Sequence, residues 1–305
     1  MRLSAGSVVA PGVRLVRALA TRGVTSVWLA EHEAFGRVAV KLLTAPDPEL
    51  VERFSLEAAL TGALQNAHSV RLLERGKSAQ GLPYLVLELL EGEPLKERLA
   101  REPQLPLETT ATIVAQIAEA LGEAHARGIV HRDVKPANLF VCEDERGLHC
   151  KLIDFGVAKR LGAATDELTA DGNLVGTPVY MSPEQLLYSN RLTIQADLWS
   201  LAVVAYRCLA GVLPFDAESR DELCLAVFAS RFTPILERRP DLPRTADMFF
   251  TRAFRKKIDH RYPDAATFAD AFAELVSHAV DYGDEAETSP VELTAAQRAA
   301  IEDER

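Results

Sequence analysis

The segment His131-Arg132-Asp133-Val134-Lys135-Pro136-Ala137-Asn138 gathers a carboxylate, an ammonium and an amide within six residues. Sixteen residues after Asn138 comes Asp154-Phe155-Gly156, preceded by the apolar pair Leu152-Ile153. Two carboxylates and an amide held on loops suit a polyphosphate that carries Mg²⁺, because Mg²⁺ prefers hard oxygen ligands and takes only a few of them from protein. Asp154 and Asn138 can each supply one. Asp133 can accept a hydrogen bond from an incoming hydroxyl and orient it, and Lys135 can neutralise charge on a transferred phosphoryl group.

These loops need a scaffold, and the pattern supplies two kinds. Val13–Leu19, Val24–Ala30 and Arg37–Leu43 are rich in β-branched and apolar residues, with turns at Gly23 and Gly36, and read as strands. A helix is expected from about Glu49 to Leu64, then strands at Val70–Arg75 and Tyr84–Leu89 around a turn at Gly76–Gly81. Glu91–Gly92 marks a change to helical spacing. Thr109–Arg127 repeats apolar residues at Ile113, Ile117 and Leu121, which buries one face. Further helices are expected at Pro183–Leu187, Gln195–Leu209, Asp221–Ala229, Asp247–Phe254 and Ala265–Val280. The longest apolar run, Leu198 to Leu213, is broken by Ser200, Arg207 and Gly211 and reads as a buried core helix, not a membrane span.

On these motifs the chain resembles the Hanks-type (eukaryotic-like) Ser/Thr protein kinases, in their bacterial subgroup, over about residues 13 to 276. The resemblance implies an α+β, bilobal protein-kinase fold, with a small antiparallel β-sheet lobe carrying one helix and a larger, mainly helical lobe. The expected division is an N-terminal extension at 1–12, the small lobe at 13–90, the large lobe at 91–276 and an acidic tail at 277–305. By resemblance Asp133 is the catalytic base and Asn138 and Asp154 hold the metal, while Lys135 is the choice of Ser/Thr kinases. Val38-Ala39-Val40-Lys41 is similar to the strand that brings a lysine to the α- and β-phosphates, and Glu57 to its helix partner. Leu87-Glu88-Leu89-Leu90 resembles the hinge whose backbone holds adenine, with Leu87 as gatekeeper and Leu19, Val27, Ala39 and Phe140 around the base. Met181-Ser182-Pro183-Glu184 resembles the end of an activation segment, with Arg261 as the partner of Glu184. Asp197 resembles the helix aspartate that braces the catalytic loop. The implied cofactors are ATP and Mg²⁺. The implied partners are protein substrates bearing Ser or Thr and a homodimer for trans-autophosphorylation.

The regulatory expectations lie between Asp154 and Glu184. Thr169 is the expected main phosphorylation site with Thr165 secondary, Arg132 is the residue that would bind the phosphate, and Thr177 belongs to the segment's end. Asp171 stands where the bacterial relatives often have a second threonine. A merely polar loop accounts for the two threonines equally well.

One departure divides the functional reading. The family's phosphate loop is G-x-G-x-x-G-x-V, and with Val27 as the valine its glycine positions hold Ala20, Arg22 and Thr25. Only Gly23 remains, at a variable position. A Cβ at each site restricts both close approach and positive φ. Two classes follow: an active kinase with a degraded loop, or a pseudokinase serving as a scaffold or allosteric partner. Electrostatic stabilisation supplies most of phosphoryl transfer, so the intact Lys41, Glu57, Asp133, Lys135, Asn138 and Asp154 favour the enzyme.

Composition is consistent with this. The chain has 305 residues, 48% of them hydrophobic, and a net charge of −10, which argues against nucleic-acid or anionic-membrane binding. From Asp281 onward eight acidic and two basic residues make a solvated tail. Four cysteines without C-x-x-C spacing, together with a start that lacks a signal-peptide hydrophobic region, predict a reducing, cytoplasmic location. His149 and Cys150 read as strand residues and not as metal ligands, and His131 as structural.

Overall fold

The computed structural model describes residues 3–45, 47–145, 147–154, 178–187, 193–215, 217 and 219–284. Six strands form the small lobe's sheet: β1 (Val8–Ala10), β2 (Val13–Arg22), β3 (Thr25–His32), β4 (Gly36–Leu43), β5 (Leu72–Lys77) and β6 (Pro83–Glu88). Their order is β1-β2-β3-β4-β6-β5, and every neighbouring pair is antiparallel. The helix α1 (Pro48–Ala63) lies between β4 and β5. Asp47 caps it, accepting from the amides of Glu49 at 2.9 Å and Leu50 at 3.1 Å, and Pro48 fills a first-turn position that needs no donor.

The period-two alternation of the strands sorts the sheet into two faces. Trp28, Ala30, Val38, Val40, Leu42, Tyr84 and Val86 pack on the outer face with Val9 and Val13. The opposite face carries Val27, Leu29, Ala39, Lys41, Leu85 and Leu87, which the register sets side by side: Val27 opposite Lys41, Ala39 opposite Leu87 and Lys41 opposite Leu85. Leu85 and Leu43 pack on Phe54 and Ala58 of α1. So one set of side chains builds a core, and its mirror set looks into the space between the lobes.

Two boundaries differ from the sequence expectation. Residues 8–10, placed in an N-terminal extension, form β1, and Val9 is buried in the outer-face cluster. Three residues are too few to show an alternation. The fifth strand begins at Leu72, not Val70, because residues 65–70 spend backbone groups on the large lobe. The amides of Gln65 and Asn66 donate to Glu123, Leu152 donates to the carbonyl of His68 at 2.7 Å, and Val70 donates to that of Leu152 at 3.1 Å. This segment staples the small lobe to the large one.

The large lobe begins at Gly92, whose φ is +155° and where an added Cβ would lie 2.1 Å from the carbonyl oxygen of Val141. Only glycine fits so close a backbone. Strands β7 (Glu93–Pro94), β8 (Leu139–Asp144) and β9 (Gly147–Leu152) form a small sheet in that order. The helices are α2 (Leu95–Arg101), α3 (Leu107–Ala126), α4 (Pro183–Leu186), α5 (Ile194–Ala210), α6 (Arg220–Phe228), α7 (Ile235–Arg238), α8 (Thr245–Ala253) and α9 (Ala265–Asp284). Ile113, Ile117 and Leu121 of α3 are fully buried, as their spacing requires. Helix α5 is buried nearly all round, which marks a central core helix. Trp199 on it meets Phe215 and Phe254 at ring separations of 5.4 and 5.0 Å. Among the described residues no helix is long and apolar enough to cross a membrane. Helix α9 runs past the expected end at Val280; the rest of the acidic tail lies outside the described residues.

Candidate active site

Lys41, on the inner face of β4, is buried, so its ammonium must find partners. It donates to Glu57 Oε1 at 2.5 Å and to Asp154 Oδ1 at 2.6 Å. One strand, one helix and the loop after β9 thus meet at a single nitrogen, across 16 and 113 residues of sequence. Burial works against the charge on Lys41, but Asp154 and then Glu57 outweigh it and hold the ammonium well above its ordinary range. For Glu57 burial acts first and pushes the carboxyl up, Lys41 pulls it back, and the Asp154 carboxylate pushes it up again. Asp154 has φ +56°, a left-handed backbone that persists in a non-glycine residue only where its surroundings fix it.

The second group sits on the loop between α3 and β8. Asp197, in the first turn of α5 and fully buried, accepts from the amides of His131 at 2.8 Å and Arg132 at 2.7 Å and from His125 Nε2 at 2.9 Å. Arg132 is also left-handed, at φ +69°. His131 is buried, which lowers its pKa and keeps it neutral, and its Nδ1 accepts from the Asp133 amide at 3.3 Å. The structural role expected of it is what it has. The Asp133 carboxylate meets Lys135 Nζ at 2.9 Å, while Asn138 Nδ2 donates to Asp133 Oδ2 at 2.9 Å and to its carbonyl at 2.8 Å. With its nitrogen so engaged, the Asn138 amide turns its oxygen the other way, as an acceptor. The Asn138 carbonyl takes the amide of Ile153 at 2.9 Å, which ties this loop to the backbone just before Asp154. An aspartate oxygen and an amide oxygen on adjoining loops are a hard-oxygen pair that fits Mg²⁺.

Of the groups assigned to adenine, Val27, Ala39 and Leu87 lie on the inner face of the sheet, Leu90 follows β6 and Phe140 lies on β8. Val27, Ala39, Leu87, Leu90 and Phe140 are only partly buried, and Leu19 is 40% exposed. The register slips between Ala18 and Ala20, which leaves Leu19 in a bulge, while Ala20 pairs with Val27. Arg22 pairs with Thr25, so Gly23 and Val24 form a two-residue hairpin turn. Gly23 has φ +52° at the first central position, the pattern of a type II′ turn. The surviving glycine is thus explained by hairpin geometry, independently of any phosphate. The Glu88 side chain has a role that the sequence did not suggest: it accepts from the Arg71 amide at 2.8 Å and from Lys151 Nζ at 2.6 Å, binding the hinge to β9.

Near the end of the segment, Glu184 and Arg261 form the expected pair, bidentate at 2.8 and 3.0 Å and buried. The Arg261 guanidinium also lies 4.7 Å from the Trp199 ring centre. Serine before Pro183 is used at the start of α4: its amide donates to Gln185 Oε1 at 3.0 Å. Cys150 pairs with Val141 inside β9, a strand residue as expected. Phe155, Gly156, Thr165, Thr169, Asp171 and Thr177, and the side chain of Arg22, lie outside the described residues.

A family model described as the protein kinase domain matches residues 23–279. The chain is 37% identical to the serine/threonine-protein kinase PknH of Mycobacterium bovis, over 95% of this chain and 49% of that protein. It is 36% identical to Pkn1 of Myxococcus xanthus, over 94% of this chain and 41% of that one, and 35% identical to PknA of Mycobacterium tuberculosis, over 86% and 61%. The chain therefore spans about half the length of these relatives. A crystal structure of Rad53 in complex with AMP-PNP superposes with a TM-score of 0.70 at 22% identity, over 85% of this chain and 64% of that one, a likeness of fold.

Proposed function

The chain belongs to the protein kinase family, and on that premise we propose that it transfers the γ-phosphoryl group of ATP to Ser and Thr hydroxyls of proteins, its own included. The observation that carries this is the assembly of Lys41, Glu57 and Asp154 at one nitrogen beside a loop on which Asp133 lies within hydrogen-bonding distance of both Lys135 and Asn138. Asp133 orients the incoming hydroxyl and receives its proton as the new O–P bond forms and the bond to the β-phosphate oxygen breaks. Lys135, already against Asp133, screens charge on the transferred group. Lys41, steadied by Glu57, faces the α- and β-phosphates. Asp154 and Asn138 would hold Mg²⁺, which when bound neutralises charge on the phosphate oxygens. Val27, Ala39, Leu87, Phe140 and the exposed Leu19 give adenine its apolar bed, with the Glu88–Leu90 backbone at its edge.

The bacterial relatives carry the name of serine/threonine kinases, and Lys135 suits the same acceptor class. The substrates are then proteins with exposed Ser or Thr, a second copy of the chain supplies autophosphorylation in trans, and Thr169 with Thr165 are the sites expected to bind near Arg132. A cytoplasmic location suits the cysteines, none of which is paired. The test is phosphate incorporation from ATP and Mg²⁺, with mass spectrometry to locate the sites. The wild type should label itself or a generic substrate, and Asp133→Asn, Asp154→Ala and Lys41→Met should each abolish labelling. Wild-type labelling no greater than that of Asp154→Ala would leave the pseudokinase reading in its place.

A further inference from the structure

The peptide unit that joins Arg132 to Asp133 is gripped at both of its polar groups. Its N–H, on Asp133, donates to His131 Nδ1 at 3.3 Å. Its carbonyl, on Arg132, accepts from Gln185 Nε2 at 2.9 Å. Gln185 is the residue after Glu184, whose carboxylate is locked to Arg261, and its own amide has no freedom to flip. Gln185 Oε1 already accepts from the buried Ser182 N–H at 3.0 Å, so only Nε2 can face Arg132. The grip falls where it is needed, since Arg132 is held at φ +69° and a left-handed non-glycine residue persists only under such constraint.

We propose that Gln185 is a positioning residue for phosphoryl transfer, which sets the tilt of the Arg132–Asp133 peptide and through it the aim of the Asp133 carboxylate. With α4 packed against the catalytic loop, the Gln185 amide adds the hydrogen bond that fixes the tilt of this peptide. The proposal rests on the kinase reading above, with Asp133 as base.

Two variants separate its outcomes. Gln185→Leu keeps the volume and removes both hydrogen bonds. It should lower kcat about tenfold with the KM for ATP changed by less than about twofold, since nothing at the adenine or phosphate side moves. Gln185→Glu still accepts from Ser182 but turns a carboxylate oxygen on the Arg132 carbonyl. Partial burial and the facing Arg132 carbonyl both favour a proton on that carboxyl and lift its pKa from about 4.3 towards about 6; the proton restores the donor, so kcat relative to wild type should climb at least about threefold between about pH 8 and about pH 6. The corresponding ratio for Gln185→Leu should stay flat. The neighbouring ionisable groups, Glu184 with Arg261, Asp133 with Lys135, and His131, are common to all three proteins and cancel in the ratio. Amide hydrogen exchange over residues 131–134 reads the clamp without any turnover and should quicken in Gln185→Leu. Wild-type kcat in Gln185→Leu, or a flat ratio for Gln185→Glu, would overturn the proposal. If wild type itself transfers no more phosphate than Asp133→Asn, the kinase reading fails, and exchange alone decides: unchanged protection at 131–134 then overturns the clamp.

Discussion

Replacing Lys41 by Met removes a cation that Glu57 and Asp154 share at 2.5 and 2.6 Å. The Glu57 side chain is 18% exposed and that of Asp154 is 38% exposed, so water screens the second far better than the first. The penalty therefore falls on Glu57, which is left beside another carboxylate. Removing one partner of a buried pair costs about 3–5 kcal/mol, and we expect the lower end, about 3 kcal/mol at pH 7.5, because Glu57 can escape by taking a proton. That escape fixes the sign of the pH dependence. In the variant, burial and Asp154 both raise the folded pKa of Glu57 above its unfolded value, so the folded state holds more protons and stability falls as pH rises between the two. Each unit of acidification towards pH 5.5 should return about 1 kcal/mol of the deficit relative to wild type. In a chain of this size the loss at pH 7.5 amounts to about 6 °C in Tm, readable by circular dichroism in matched buffers. Lys41→Met/Glu57→Leu replaces the pair with apolar volume and should recover most of the stability while remaining inactive. A Lys41→Met protein within about 1 kcal/mol of wild type at both pH values, or a double variant no more stable than the single, would show that the pair is not electrostatically strained by the loss of Lys41.

Gly92→Ala should cost about 2–4 kcal/mol, since a Cβ would strike the Val141 carbonyl at 2.1 Å, whereas Gly81→Ala, also at positive φ but in open space, should cost about 1 kcal/mol; thermal melts of both compare steric overlap with conformational strain alone. Restoring Ala20→Gly, Arg22→Gly and Thr25→Gly together should raise kcat/KM for ATP about tenfold by letting the hairpin backbone approach the phosphates. A fall on restoration would mean that a side chain of the present hairpin contacts the nucleotide.

The parts of the site that sequence made legible are those whose chemistry is local. His131 to Asn138 lie on one loop, and their residue types alone suggest a hydroxyl, a metal and a phosphoryl group. The meeting of Lys41, Glu57 and Asp154 was readable only through family resemblance, since no local pattern connects residues 113 positions apart. Strands of good length with clear alternation, such as β3 and β4, were found nearly to the residue. What escaped was short or borrowed its order from elsewhere. β1 and β7 have three and two residues, too few for a period, and α2 starts at Leu95 behind Pro94, which offers no side-chain cap. Gln185 reads in sequence as an ordinary helix residue. Only the return of α4 against the catalytic loop gives its amide a task, and the Glu88 carboxylate likewise acquires Lys151 only when β9 arrives beside the hinge.

The staple at residues 65–70 also has a mechanical consequence. Among the described residues the small lobe's backbone is moored at two places, the strand end at Glu88–Gly92 and the stretch after α1 whose amides reach Glu123 and Leu152. A body moored at two points swings about the line through them, and travel grows with the lever arm. The β2–β3 turn sits at the far end of the sheet: Thr25 pairs with Leu43, whereas Val38 pairs with Glu88 at the mooring, five residues or about 17 Å nearer. Along α1 the same geometry grades the motion, because at a rise of 1.5 Å per residue Asp47 stands about 25 Å from Leu64 but Glu57 only about 10 Å. A swing that moves the hairpin tip and the capped end of α1 by several ångströms carries Glu57 less than half as far, and Lys41, three residues from Val38 on β4, about three-fifths as far, so the mouth of the cleft moves most and the Lys41–Glu57 pair less.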